Sequence, residues 1–268
     1  NTTTPGLSAE RVLGVDASYN LRYGDFKARI SGYYTRIYDQ SKVISYYDDV
    51  AATFTNFAMS GIDKVHFGLE AAVSIPIYHT LALNGAVSWG QYTYDSNPYY
   101  LQTQDNSGDI VSDGYVYWKD FRVESTPQTA VNVGLSWRSN NNIYLSADFN
   151  YYNNMYLSMS PIYRTDAVIT GGMAPGDIEH LRRQEKFDSA YTLNASIGKN
   201  WYIHRKYTLG FSLDVKNILN NQDIKTGGYE QTRLSKNTET TVTTYQAFDS
   251  KYFYMFGTTY YLNLYFRF

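Results

Sequence analysis

The side chains that could do chemistry are few in this 268-residue chain. It has no cysteine and four histidines. His79 and His204 fall in short turns, where a solvated polar residue is expected. His66 and His180 could each bind haem or a metal, but neither has a second histidine or a thiol at ligand spacing. A serine hydrolase would need a nucleophile and an acid beside one of these histidines, and none stands in a recognisable nucleophile motif. No catalytic residue is assigned, and no enzyme is expected. The most ligand-like run is Asp105-Asn106-Ser107-Gly108-Asp109 with Asp113 after it. Its oxygens around a glycine could hold a structural Ca²⁺, though the EF-hand spacing is not met and the same residues make ordinary turns. Beyond that ion, no cofactor is expected. Tyr46, Tyr47 and Asp48, the pair Tyr99 and Tyr100, and Tyr229 after two glycines could stack on the face of a sugar or aryl group. Packing of loops against one another is the competing use of those rings.

Composition narrows what can position these groups. A net charge of −2 gives no basic footprint, so nucleic acid is not an expected partner. Tyrosine is the outlier, with 29 residues beside 13 Phe and 4 Trp. Mean hydropathy is −0.43, and no apolar run approaches the ~18 residues of a membrane-spanning helix. A transmembrane β-barrel escapes that test, because only every second residue of its strands faces lipid.

The apolar residues recur with a period of two. Tyr207, Leu209, Phe211, Leu213 and Val215 alternate with Thr208, Gly210, Ser212, Asp214 and Lys216. One greasy face and one polar face make a strand rather than a helix. The same alternation runs through 13–21, 26–34, 67–75, 81–89, 131–137, 143–151 and 191–197, and again from Tyr252 to Phe268 as one long strand. Nine strands are expected, with a further one conceivable from Tyr115. Short turns fall at 23–25, 76–79, 139–141 and 202–206, and long loops at 42–62, 95–119, 157–186 and 218–251. Within the third loop, Asp177 to Glu185 reads as a short helix whose charges are solvated. Short turns at one end and long loops at the other are the arrangement of an outer-membrane barrel, with the short side periplasmic. A soluble sandwich or a propeller would have shorter strands and loops not sorted by side. Tyr92, Tyr94, Tyr151, Tyr152, Tyr156, Tyr191, Tyr252 and Tyr254 sit where an interfacial aromatic belt would. The polar faces carry Asp16, Lys27, Arg29, Glu70, Arg138, Asp148, Asp188, Asp214, Lys216 and Arg267, expected to pair across strands.

Nine strands do not close an all-antiparallel barrel, which wants an even number. The chain therefore reads as part of a larger one. Its last residues, Tyr261 to Phe268, resemble an outer-membrane assembly signal, carried by Leu264, Phe266 and Phe268. Val215-Lys216-Asn217-Ile218-Leu219-Asn220 resembles the V-x-N-L-F-N segment of the penultimate strand in TonB-dependent receptors. Residues 125–137, opening Ser125-Thr126-Pro127, and 61–70, from Gly61-Ile62-Asp63 to Gly68-Leu69-Glu70, resemble two further strands of that family in its Bacteroidota form. The likeness covers about residues 60–268.

That resemblance implies an all-β fold in which residues 1–268 are the last nine strands of a 22-stranded transmembrane barrel. It implies import of a scarce nutrient across the bacterial outer membrane, with extracellular loops capturing ligand and a plug, absent from this chain, moved by TonB. The implied partners are the remaining strands and plug, the TonB complex through that missing part, outer-membrane lipid, a surface lipoprotein, and a small-molecule, glycan or peptide ligand. The alternative is a structural or adhesive outer-membrane barrel without transport.

Overall fold

The structure is a computed structural model that describes residues 3–124, 126–171, 175–204, 206–237 and 244–268. In chain order its strands are β1 (Arg11–Tyr23), β2 (Phe26–Asp48), β3 (Thr53–Tyr78), β4 (Leu81–Tyr94), β5 (Tyr99–Gln104), β6 (Ile110–Tyr115), β7 (Thr129–Arg138) and β8 (Ile143–Asn153). A 3₁₀ turn (Pro161–Arg164) and two short helices, α1 (Asp166–Ile169) and α2 (Pro175–Arg182), follow. Then come β9 (Ala190–Ile203), β10 (Tyr207–Lys216), β11 (Lys225–Tyr229), β12 (Leu234–Asn237), β13 (Thr244–Ala247), β14 (Lys251–Tyr254) and β15 (Thr259–Arg267).

Nine of these strands form one antiparallel meander in the order β1-β2-β3-β4-β7-β8-β9-β10-β15. The fold is all-β with almost no helix, and the sheet is open: among the described residues β1 and β15 pair on one side only. The alternation sets its register. One row of directly opposed residues crosses seven strands as Tyr19, Ile30, Ala71, Val87, Val131, Tyr151 and Tyr191. At the other side Leu213 stands between Ile197 and Leu262. This apolar face has nothing over it: Val15 is 63% exposed and Leu264 70%.

The opposite face is joined by hydrogen bonds between small polar side chains. Ser74 donates to Asn84 (2.9 Å), which donates to Ser136 (3.2 Å). Asn132 donates to Asn150 (2.8 Å), and Ser146 meets Ser196 at 2.8 Å. The ion pairs expected there do not form. Among the described residues none of the ten wall charges is in a salt bridge, and Arg29 donates to Ser31 and Ser18 instead. Tyrosine side chains pass close over glycines of neighbouring strands on this face. The hydroxyl of Tyr33 sits over Gly68 and Gly90 and meets that of Tyr92 at 2.6 Å.

The buried hydrophobic cluster lies at one end, among the long connections. Phe57, Met59, Ile62, Tyr94, Val116, Trp118, Ile162 and Leu234 belong to it. The connection expected over 42–62 is mostly strand, because β2 and β3 run on as a hairpin that turns at residues 49–52. Two bulges hid this from the alternation. Asp39 and Gly61 both take positive φ (59° and 73°), and the β2–β3 register shifts between Ile37 and Lys42. Beyond them the apolar parity changes side, so Tyr46, Phe57 and Met59 cluster with Tyr94, whose own row continues the polar face. The β5–β6 hairpin pairs onto this extension and ends at Tyr115, the conceivable start of a further strand.

The final strand is broken as well. Tyr252 and Tyr254 belong to β14, which pairs with β11, and the chain leaves strand conformation before β15. Asn217 makes the break: in left-handed conformation (φ 51°), its amide nitrogen donates to the carbonyls of Asn221 (2.9 Å) and Phe256 (3.0 Å). Asn220 adds a bond from the Thr258 N–H (3.0 Å). The expected aromatic belt is split too, since Tyr92 turns to the polar face and Tyr94 is buried in the loop core. Tyr151 and Tyr191 do stand on the apolar face.

A glycine under a tyrosine is a close-packed joint. A Cβ on Gly68 would lie 2.5 Å from the Trp89 carbonyl and from the Tyr33 hydroxyl, whereas one on Gly14 would meet nothing nearer than Thr35 at 3.7 Å. Gly68→Ala should cost about 1–3 kcal/mol in a urea unfolding titration, as overpacking does. Gly14→Ala should leave the midpoint nearly unchanged.

Candidate functional site

Three long connections meet around one ion pair. Arg164, at the end of the 3₁₀ turn, is fully buried. Its guanidinium forks onto Glu230, with Nη1 to Oε2 and Nη2 to Oε1 (2.8 Å). Nη1 also donates to the Ser160 carbonyl at 3.0 Å, and the Ser160 N–H donates to Glu230 at 2.8 Å. Phe121 lies 5.5 Å from the guanidinium carbon. A charge taken out of water needs partners, and the bidentate carboxylate with the Ser160 carbonyl serves both terminal nitrogens, while among the described residues Nε has none. The backbone joins in, because the Ser158 N–H bonds Gly228 and the Glu230 N–H bonds Ser158.

The segment from Asn217 to Thr258 is thereby an arm docked on the others. Arg233 grips Asp49 at the β2–β3 tip through Nε and Nη2 (3.0 and 3.1 Å), which holds the Asp49 carboxyl below the usual range. Lys225 reaches Glu185 at 3.0 Å and lies 3.8 Å from the Tyr252 ring centre. Burial pulls the Lys225 ammonium down, but Glu185 outweighs it and the net shift is upward. Tyr163 donates to the Arg233 carbonyl at 2.9 Å, and burial pushes its hydroxyl up to about 12. Gln184 behaves as a strand would, accepting from the Arg122 N–H (2.9 Å) and donating to the Arg122 carbonyl (2.7 Å).

Between this arm and the 157–187 segment lies a cavity of about 520 Å³. Leu157, Leu181, Tyr163, Phe248 and Tyr252 give it apolar and aromatic wall, while Arg183, Glu185, Lys186, Glu230 and Asp249 bring charge. The size is ordinary for a small-molecule site.

The aromatic residues expected to take ligand are scattered relative to this cavity. Tyr46 and Tyr100 are buried in the loop core; burial, with Asp48 close by, raises the Tyr46 hydroxyl. Asp48 caps the β2–β3 turn by accepting from the Val50 and Ala51 N–H groups. Tyr47 packs edge-on against Phe54 on the outside of that hairpin. Tyr99 bonds Asp113, which lifts its hydroxyl to about 12. Tyr229 is exposed beside Phe253.

Asp105 and Asp109 sit in the β5–β6 turn, Asp105 accepting from Asn56 (2.8 Å), while Asp113 lies along β6. Among the described residues no three His, Cys, Asp or Glu side chains converge as a metal site. His66 lies tilted against Tyr92, with ring centres 4.8 Å apart, and the His180 side chain lies outside the described residues. Leu264 and Phe266 stand on the uncovered face of β15 opposite Phe211 and Leu209, and Phe268 follows in contact with Phe266.

Sequence reading missed the cavity because its walls come from two connections seventy residues apart in the chain, which no local pattern joins. The available signal was the charge run Arg182, Arg183 and Glu185, read as solvated. Helix α2 does form there, but it ends at Arg182, so Arg183 to Lys186 leave the helix and line the cavity. No protein-family model matches the chain, and no curated protein matches it.

Breaking the central pair should release the arm. Arg164→Met alone strands Glu230 and should cost about 3–5 kcal/mol in loop-layer stability, whereas Arg164→Met with Glu230→Leu should recover most of it. Hydrogen exchange of the 225–229 amides reads both: fast in the single variant, restored in the double.

Proposed function

We propose that the chain is the C-terminal barrel segment of a TonB-dependent transporter of the bacterial outer membrane, which takes a scarce nutrient at its extracellular loops. The observation that carries this reading is the nine-strand meander with one continuous uncovered apolar face. A face of that extent is not left to water, and a hydrocarbon bilayer is the medium that covers it without an additional protein layer. The open edges at β1 and β15 fit further strands on either side, as a larger barrel would supply. The four short turns lie at one end and the folded connections at the other, which suits a periplasmic rim and an extracellular ligand layer. Residues 61–70 lie in β3 and 129–137 in β7, and Asn217 ties the end of β10 to the approach of β15, which supports the resemblance.

Import itself would need the plug and its TonB contact, both supplied by the rest of the receptor. Recovered from outer membranes without boiling, the chain should travel with those parts, continuous or nicked, and any nicked partner should separate only on denaturation. Intact mass before and after denaturation decides it. Recovery of this chain by itself would leave the structural or adhesive alternative.

The lipid assignment has its own test. Leu264 and Asn263 are adjacent on β15 and face opposite ways. Leu264→Arg should cost about 2–4 kcal/mol near the bilayer midplane and impair assembly, while Asn263→Arg should be far milder. Heat-modified migration on gels measures folded fraction in both, and equal losses would sink the facing.

A further inference from the structure

We propose that the cavity between the arm and the 157–187 segment binds a short zwitterionic peptide through its charged termini. The inference rests on the import reading and names the class of ligand. The argument turns on which polar groups at the cavity are already spent. Glu230 gives both oxygens to Arg164. Glu185 gives one oxygen to Lys225 and the other to Tyr252 (2.7 Å). Gln184 has both ends of its amide on the Arg122 backbone. Two carboxylates and an amide at the cavity are thus already engaged in holding the connections together, which leaves them fewer sites for sugar hydroxyls.

What is left is of both signs. Among the described residues the side chains of Arg183, Lys186 and Asp249 are in no ion pair, and all three line the cavity and are exposed. Arg183 and Lys186 flank Glu185 and offer a guanidinium and an ammonium to a carboxylate. Asp249 comes from the opposite wall, on the arm, and offers a carboxylate to an ammonium. Between them the wall is Leu157, Phe248 and Tyr252, suited to an apolar side chain. A volume of about 520 Å³ accommodates two or three amino-acid residues. A neutral sugar would leave these three charges unmatched, and a simple anion would leave Asp249 facing its own sign.

The test is calorimetric titration of the purified, detergent-solubilised full protein with the tripeptide Ala-Phe-Ala. Its N-acetylated, C-amidated form and maltose serve as comparison ligands. The free tripeptide should bind about tenfold or more tightly than the blocked one, the loss of about 1.4 kcal/mol that each tenfold represents. Arg183→Gln with Lys186→Gln should erase the preference for a free carboxylate, and Asp249→Asn the preference for a free amine. Absence of binding, equal affinity for free and blocked peptide, or tighter binding of maltose would overturn the proposal. Uptake by whole cells separates it from the import reading. Peptide binding without energy-dependent uptake upholds the site and sinks transport; energy-dependent uptake of another ligand without peptide binding does the reverse.

Discussion

With Leu69 opposite Trp89 and Val133 opposite Phe149, each strand of this sheet is held against a one-residue slip. A slip by one would carry an entire strand's apolar set to the side where Ser74, Asn84 and Ser136 are bonded in series. Because the period is two, the penalty is shared by every residue of the strand. The eight junctions of the meander therefore reinforce one another, and the uncovered face stays apolar from β1 to β15. Close joints such as Tyr33 over Gly68 fix the same register from the polar side, since a tyrosine that close needs a neighbour without a side chain.

The sheet body buries no large apolar side chain among the described residues, so its own faces cannot supply the hydrophobic term that usually drives folding. That term sits at one end, where the extension of β2 and β3 and the long connections close on Trp118, Tyr94 and Phe57. The two halves thus have opposite polarity. In the loop layer apolar groups are inside and charges pair at the edge, as in a water-soluble domain. In the sheet apolar groups point out and neutral polar groups bond within, which is what hydrocarbon on the outside would select. The bulges at Asp39 and Gly61 lie where one regime gives way to the other. They reverse parity so that the same two strands can serve both.

The sheet was legible because alternation is a local signal repeated in every strand, and neighbouring strands needed no long-range information beyond their order. The bulged extension was not, because a parity change in the middle of a strand looks like its end. The belt residues failed for a related reason. Tyr92 is one of a run of tyrosines near strand ends, and only the register shows that its hydroxyl meets Tyr33 instead of a headgroup. Wall ion pairs were expected from charge content alone, yet serine and asparagine do that work, and the ion pairs lie toward the loop end of the strands, as Arg11 with Asp39, or in the connections, as Arg233 with Asp49 across 184 positions. No spacing rule reaches that far.

The same distance problem hid the cavity, but its chemistry follows once the loop layer is seen as a set of satisfied bonds. Arg164 with Glu230 and Lys225 with Glu185 hold the arm, and in doing so they engage their own carboxylates. A binding surface made by subtracting the structural contacts from the total differs from the one composition suggests. Acidic side chains outnumber basic ones in the lining, but the groups left over are two cations on one wall and one anion on the other. Because Asp249 rides on the arm and Arg183 and Lys186 do not, a ligand bridging them would add its own charges to the contacts that keep the arm docked. Occupancy and closure of the loop layer would then be coupled by the same free energy.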